Sequence, residues 1–178
     1  MKFMIMYIVL VSVLFIGAGC KKKSTDSGNN CLSKLNFTKI AFTDDAGNEL
    51  SKDTTDWTNE STWCQEEYNL FQTGSVDLSG SGTSQLTTHF FPNPVSTLGS
   101  IVVTGQQKCP VQFVVVNRSL QVLDTFSVVY PGTGYLIKTV NFSDSLKYKS
   151  GNYYRIYFAA HSTGHLFFYK GHGDLKKG

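Results

Sequence analysis

LQVLDTFSVVY, residues 120–130, places Leu120, Val122, Phe126, Val128 and Tyr130 at alternate positions, with Asp124 the one interruption. A period of two turns one face toward a core and the other toward water, which is the signature of a half-buried β-strand and not of a helix. Working outward, the same theme recurs from Leu35 to Lys170 in LNFTKIAF, SQLTTHFF, GSIVVTG, VQFVVVN, YLIKTVNF, YYRIYFAA and HLFFYK. The segments between them, among them TDDAGNE, SGSG, NPVSTLG, PGTG, YKSGN and HSTG, carry the Gly, Asn, Asp or Pro that sharp reversals require. Short strands at intervals of roughly 8–12 residues predict an all-β domain, a sandwich or a barrel.

Composition agrees. Of 178 residues, 41% are hydrophobic and 16% charged, which suits one core. The formal charge of +3 includes Lys2, Lys21, Lys22 and Lys23 near the N-terminus, so the remainder has no basic excess and nucleic acid is not an expected partner. One stretch departs from the β theme. In STWCQEEYNLF, Thr62 and Gln65 stand at capping-box spacing and Trp63, Leu70 and Phe71 share a helical face, predicting a short helix. Trp57 and Trp63 are read as plugs at one end of the fold, ahead of a stacking platform for a sugar.

Met1 to Gly19 combines Lys2, the apolar run FMIMYIVLVSVLFI and the small residues Gly17, Ala18 and Gly19, immediately before Cys20. This segment resembles a bacterial lipoprotein signal, and its Cys-Lys-Lys ending is similar to those of Bacteroidota; an uncleaved anchor is the alternative. The resemblance implies a signal peptide over 1–19, lipidation of the Cys20 thiol, and attachment to a lipid bilayer. Residues 20–34 then read as a flexible Gly/Ser/Asn-rich tether and 35–178 as the folded domain. The tether is basic, with Asp26 its one acidic residue. Exported surface lipoproteins of that phylum carry an acidic run there, so the expected location is the outer membrane, facing the periplasm in preference to the cell surface.

HFFPNPVSTLGSIVVTG, residues 89–105, supplies a second resemblance. It looks like the start of the C-terminal sorting domain of type IX secretion cargo, in which Pro-Asn-Pro precedes the first strand of a seven-stranded immunoglobulin-like sandwich. NRSLQV at 117–122, SGNYYRIYF at 150–158 and LFFYKG at 166–171 follow in the family's order, so the likeness covers Phe90 to about Gly171. It implies a single immunoglobulin-like antiparallel sandwich; a sorting or attachment role is kept as an alternative function.

Chemistry is sparse. GxSxG, P-loop, GxGxxG and HExxH patterns are absent from the sequence. Glu66 and Glu67 are adjacent, so on a helix they diverge by about 100° and cannot work as an acid–base pair. His161 and His165 flank a turn, with His172 beyond, but hairpin-flanking polar residues are preferred to a metal site; Asp44, Asp45 and Glu49 fall short of a calcium shell and read as a hairpin tip. No catalytic residue, metal or cofactor is expected. Tyr153, Arg155 and Tyr157 alternate on one face of a strand and form the candidate binding face, against burial of that face as core. With Cys20 lipidated, Cys64 and Cys109 are the expected disulfide and Cys31 is left over. The expected function is a non-catalytic, lipid-anchored binding or assembly module with an envelope protein or glycan partner; a glycan or peptide hydrolase is the alternative.

Overall fold

The computed structural model describes residues 37, 40–60, 62–71, 86–161 and 168–178. In chain order these form β1 (Phe42–Thr43), β2 (Glu49–Ser51), helix α1 (Gln65–Asn69), β3 (Thr87–Phe91), β4 (Leu98–Thr104), β5 (Cys109–Val116), β6 (Val122–Tyr130), β7 (Tyr135–Asn141), β8 (Tyr153–His161) and β9 (Phe168–Lys176). β3, β4 and β7 make one antiparallel sheet, and β6, β5, β8 and β9 make a second in that order. The chain changes sheet after β4, after β6 and after β7. Two facing sheets of three and four strands with these crossings are an immunoglobulin-like sandwich, as expected.

The alternation read from the sequence builds the core. Val111, Phe113 and Val115 of β5, Ile156 and Phe158 of β8 and Leu175 of β9 face Phe90, Ile101, Val103 and Val140 of the other sheet. Each such side chain contributes about 1.5–3 kcal/mol by leaving water. Tyr154, near the start of β8, takes the Lys149 N–H on its hydroxyl at 2.6 Å, a tyrosine corner that fixes how the chain enters that strand.

Several details differ from the sequence reading. Among the described residues of the LNFTKIAF run, strand begins at its last residue, Phe42, where β1 starts, while Phe37 and Ile40 are buried by packing. HLFFYK is not the end of its strand: β9 continues through Gly171 and Gly173 to Lys176. Those glycines are not turns. A Cβ at Gly171 would overlap the Thr58 carbonyl oxygen, and one at Gly173 the Trp57 indole. Pro-Asn-Pro joins β3 to β4, so a strand precedes it. The helix begins two residues later than its capping-box spacing suggested, with Cys64 as N-cap, because Glu67 reaches back to accept the Cys64 N–H at 2.8 Å.

Helix α1 and its flanks, with Phe37, form a third layer on the outer face of the four-stranded sheet. Trp63 and Phe71 pack there on Val114, Val116, Tyr157 and Ala159, a second core separated from the first by the sheet. Both faces of β5 and β8 are therefore buried, which explains the near-continuous apolar run CPVQFVVV.

Candidate functional site

The third layer decides the fate of the candidate binding face. Tyr157 is 0% exposed and Arg155 6% exposed, so the candidate binding face of β8 is core, the burial alternative of the sequence reading. Arg155 Nε and Nη2 donate to Asp174 Oδ1 and Oδ2 of β9 at 2.6 and 2.8 Å, and the guanidinium lies 4.8 Å from the Phe37 ring centroid. Burial opposes its charge, but the bidentate pair outweighs burial and raises its pKa further. Tyr157 donates to Glu67 Oε1 at 3.0 Å, and burial pushes its phenol well above the usual range. Tyr153 alone of the three is half-exposed, beneath the guanidinium of Arg118 at 5.3 Å. The guanidinium that suggested recognition is instead half of a buried ion pair.

A second group gathers along β9, the outermost strand of its sheet. Its edge is not met by another strand but by side chains and loops. Asp56 Oδ1 accepts the Asp174 N–H at 3.2 Å, and Asn93, the middle of Pro-Asn-Pro, donates to the Asp174 carbonyl at 3.0 Å and accepts the Lys176 N–H at 3.0 Å. Trp57 N–H donates to His172 O at 2.7 Å, Glu60 N–H to Lys170 O at 2.8 Å, and Val95 N–H to Lys176 O at 2.8 Å. Buried backbone groups need such partners, and an open edge invites another chain. Trp57 adopts a positive φ of 58° there, and its ring enters the first core between Phe90 and Phe158, 6.0 Å from each. Trp57 thus plugs the side of the sandwich, whereas Trp63 belongs to the outer layer.

Asp56, His172 and Asp174 bring ligand atoms within 4.8 Å of one another. Burial first, then the nearby Asp174 carboxylate, raises the Asp56 pKa to about 7. Glu60 moves the other way: burial works against it, but contacts with His172 Nδ1, at 2.5 Å, and the Trp63 indole N–H, also 2.5 Å, lower its pKa. The donor set does not suit a metal. Both Asp174 oxygens are taken by Arg155 and both Asp56 oxygens by the N–H groups of Ala41 and Asp174, so a cation would have to displace the ion pair that holds β8 to β9. The cluster is a structural clasp. Sequence spacing could not reveal it, because Asp56 and Asp174 lie 118 residues apart.

The expected Cys64–Cys109 bridge is not formed. Cys64 is disulfide-bonded, but Cys109 is a free thiol, 1% exposed. Cys109 opens β5 on its inner face, within the first core, while Cys64 caps α1 in the outer layer, so the sheet stands between them. The partner of Cys64 lies outside the described residues, as do Cys20 and Cys31. The His161–His165 pair also falls outside them, His165 in position and His161 in its side chain. Asp44 closes the β1–β2 turn, accepting the N–H groups of Ala46 and Asn48 at 3.0 and 2.8 Å, as the hairpin-tip reading expects.

A further open concavity has a distinctive lining. A groove of about 620 Å³ lies between the β5–β6 turn and the β7–β8 loop, bordered by Arg118, Leu146, Lys147, Lys149, Asn152 and Tyr153. Lys147 reaches Asp124 at 2.8 Å, and the Tyr148 hydroxyl donates to the same carboxylate at 2.5 Å. Arg118 and Lys149 hold exposed cationic groups. The sequence singled out none of these basic residues, because they are dispersed over 118–149 and become neighbours only when two loops meet. No protein-family model matches the chain, and no match emerges among curated proteins.

Proposed function

We propose that the protein is a lipid-anchored lipoprotein of the bacterial envelope, held by an acylated Cys20 and acting as a non-catalytic binding or assembly module. The observation that carries this reading is the sequence FIGAGCKKK, residues 15–23: an apolar run and small residues end on a cysteine, and Phe37, already buried in the immunoglobulin-like fold, follows only seventeen positions later. A short polar tether then separates the anchor from a rigid domain. The basic tether favours an outer-membrane address facing the periplasm. The non-catalytic reading draws on the clasp, whose carboxylates are committed to backbone and guanidinium donors.

The test is metabolic labelling with a fatty-acid analogue. Wild-type chain should carry label on its N-terminal peptide, and Cys20→Ala should carry none and persist as a longer precursor. Equal label in both would sink the reading.

A further inference from the structure

We propose that the groove end of the sandwich is a membrane-facing edge, seating on the phosphate headgroups of the bilayer that holds Cys20, with Leu146 entering the interface. The proposal rests on the lipoprotein reading and adds how the domain stands on its membrane.

Leu146 is 90% exposed at the tip of the β7–β8 loop, the highest exposure among the large apolar side chains of the described residues. The loop presents it firmly. Asp144 Oδ1 accepts the Leu146 N–H at 2.9 Å, and Tyr148, two residues on, is buried with its ring 4.9 Å from Phe142 and 5.3 Å from Tyr154. Around this apolar tip stand Lys147, Lys149 and Arg118. Lys176 joins them from β9, its Nζ 5.7 Å from the Tyr153 ring centroid. Four cations thus stand with two carboxylates, Asp124 and Asp144. Asp124 is held by Lys147 and Tyr148, and Asp144 by backbone N–H groups. An apolar wedge ringed by basic side chains matches an anionic membrane interface, where each Lys or Arg near the surface strengthens attachment about fivefold. A soluble phosphate or sulfate would use the same cations, but Leu146 would do nothing for it.

The tether delivers the bilayer to this end. Arg118 sits 5.9 Å above Phe37, where the described chain begins on its way from Cys20. Even the seventeen positions from Cys20 to Phe37 taken as a free chain span only about 20–25 Å on average, and a bridge from Cys31 to Cys64 would shorten that reach. An anchor so close keeps the surface at an effective concentration in the millimolar range, so a weak contact suffices to orient the domain.

The experiment uses the full lipidated chain with Leu146→Trp, reconstituted into phosphatidylcholine vesicles with and without phosphatidylglycerol, and brominated lipids as depth quenchers. The expected result is quenching of the added Trp in the anionic vesicles, reduced at least severalfold by the triple change Arg118→Glu, Lys147→Glu, Lys149→Glu and by 0.5 M salt. An unquenched Trp on vesicle-bound, acylated protein overturns the docking alone. Inorganic phosphate that raises the melting temperature of the same chain in detergent, with no quenching on vesicles, assigns the groove to a soluble anion and also overturns it. Mass analysis of the N-terminal peptide reads the anchor separately: absence of the acyl mass overturns the lipoprotein reading and the docking with it.

Discussion

Arg155 illustrates how a side chain's meaning depends on what lies above it. On an open sheet it would be a recognition residue; beneath the third layer it is one half of a bidentate pair with Asp174. Removing one partner leaves a buried, uncompensated charge, which costs about 3–5 kcal/mol. Arg155→Ala is therefore expected to lower stability by that amount in urea denaturation, and Arg155→Met with Asp174→Leu to recover most of it. A single mutant that stays within about 0.5 kcal/mol of wild type, as exposed substitutions do, would refute the burial argument.

Asp56 makes a second prediction, with a definite sign. Its carboxyl titrates near 3.8 when exposed and at about 7 when folded, so between those values the folded state holds a proton the unfolded chain has released. Stability from this group is fully present below about pH 4 and is lost as pH rises through 7, by on the order of 4 kcal/mol. Asp56→Asn, which cannot ionise, should flatten that part of the pH–stability curve. Chemical denaturation at half-unit steps from pH 4 to 8 measures it; identical slopes in both proteins would exclude Asp56 as the cause.

At the scale of elements, β9 is the strand whose edge most needed attention, and the molecule closes it with side chains that imitate a neighbouring strand. Asn93 donates to Ala41 O and Asp174 O and accepts from Lys176 N, joining the third layer to the sandwich. Asn93→Ala strands three backbone groups, that of Asp174 buried and those of Ala41 and Lys176 part-buried, and should cost about 2–4 kcal/mol. Gly173→Ala tests the same junction sterically, because a Cβ there meets the Trp57 indole. Overpacking of this kind costs about 1–3 kcal/mol, and a red shift in Trp fluorescence should report displacement of Trp57 from between Phe90 and Phe158. The two outer strands β6 and β7 are protected differently. Each turns a charged residue inward, Asp124 beneath Lys147 and Tyr148, and Lys138 to 5.8 Å above the Phe126 ring, a device that disfavours pairing with another chain.

For the whole molecule, the cysteines connect the sandwich to what precedes it. Cys109 is buried with its pKa pushed up to about 11, so it should resist iodoacetamide at pH 8 until the chain is unfolded. If Cys20 is acylated and Cys109 is free, Cys31 is the remaining partner for Cys64, and nonreducing peptide mapping should find that link; a Cys20–Cys64 peptide would contradict acylation. A bridge closing a loop of this size stabilises by about 2–4 kcal/mol, which would pin the outer layer over Arg155 and Tyr157.

The all-β class was written in the sequence because pleating converts alternation into one face toward the core, as at Phe126, Val128 and Tyr130; at the start of the same run a bulge opposite Val115 and Val116 leaves Val122 exposed, and Leu120 packs on the outer core instead of the inner one. The same local rule located β3 to β8 nearly in full, since each run is bounded by its own turn residues. It could not determine which outer face would be covered. Tyr153, Arg155 and Tyr157 alternate identically whether solvent or a third layer lies above them, and the layer is supplied by a segment about a hundred positions away. Nor could it tell that Gly171 and Gly173 make room for a strap in place of turning the chain, or that Cys64 and Cys109 lie on opposite sides of a sheet. Periodicity reports the environment of a strand averaged along its length; what approaches it from elsewhere in the chain depends on packing, and packing is settled by tertiary structure alone.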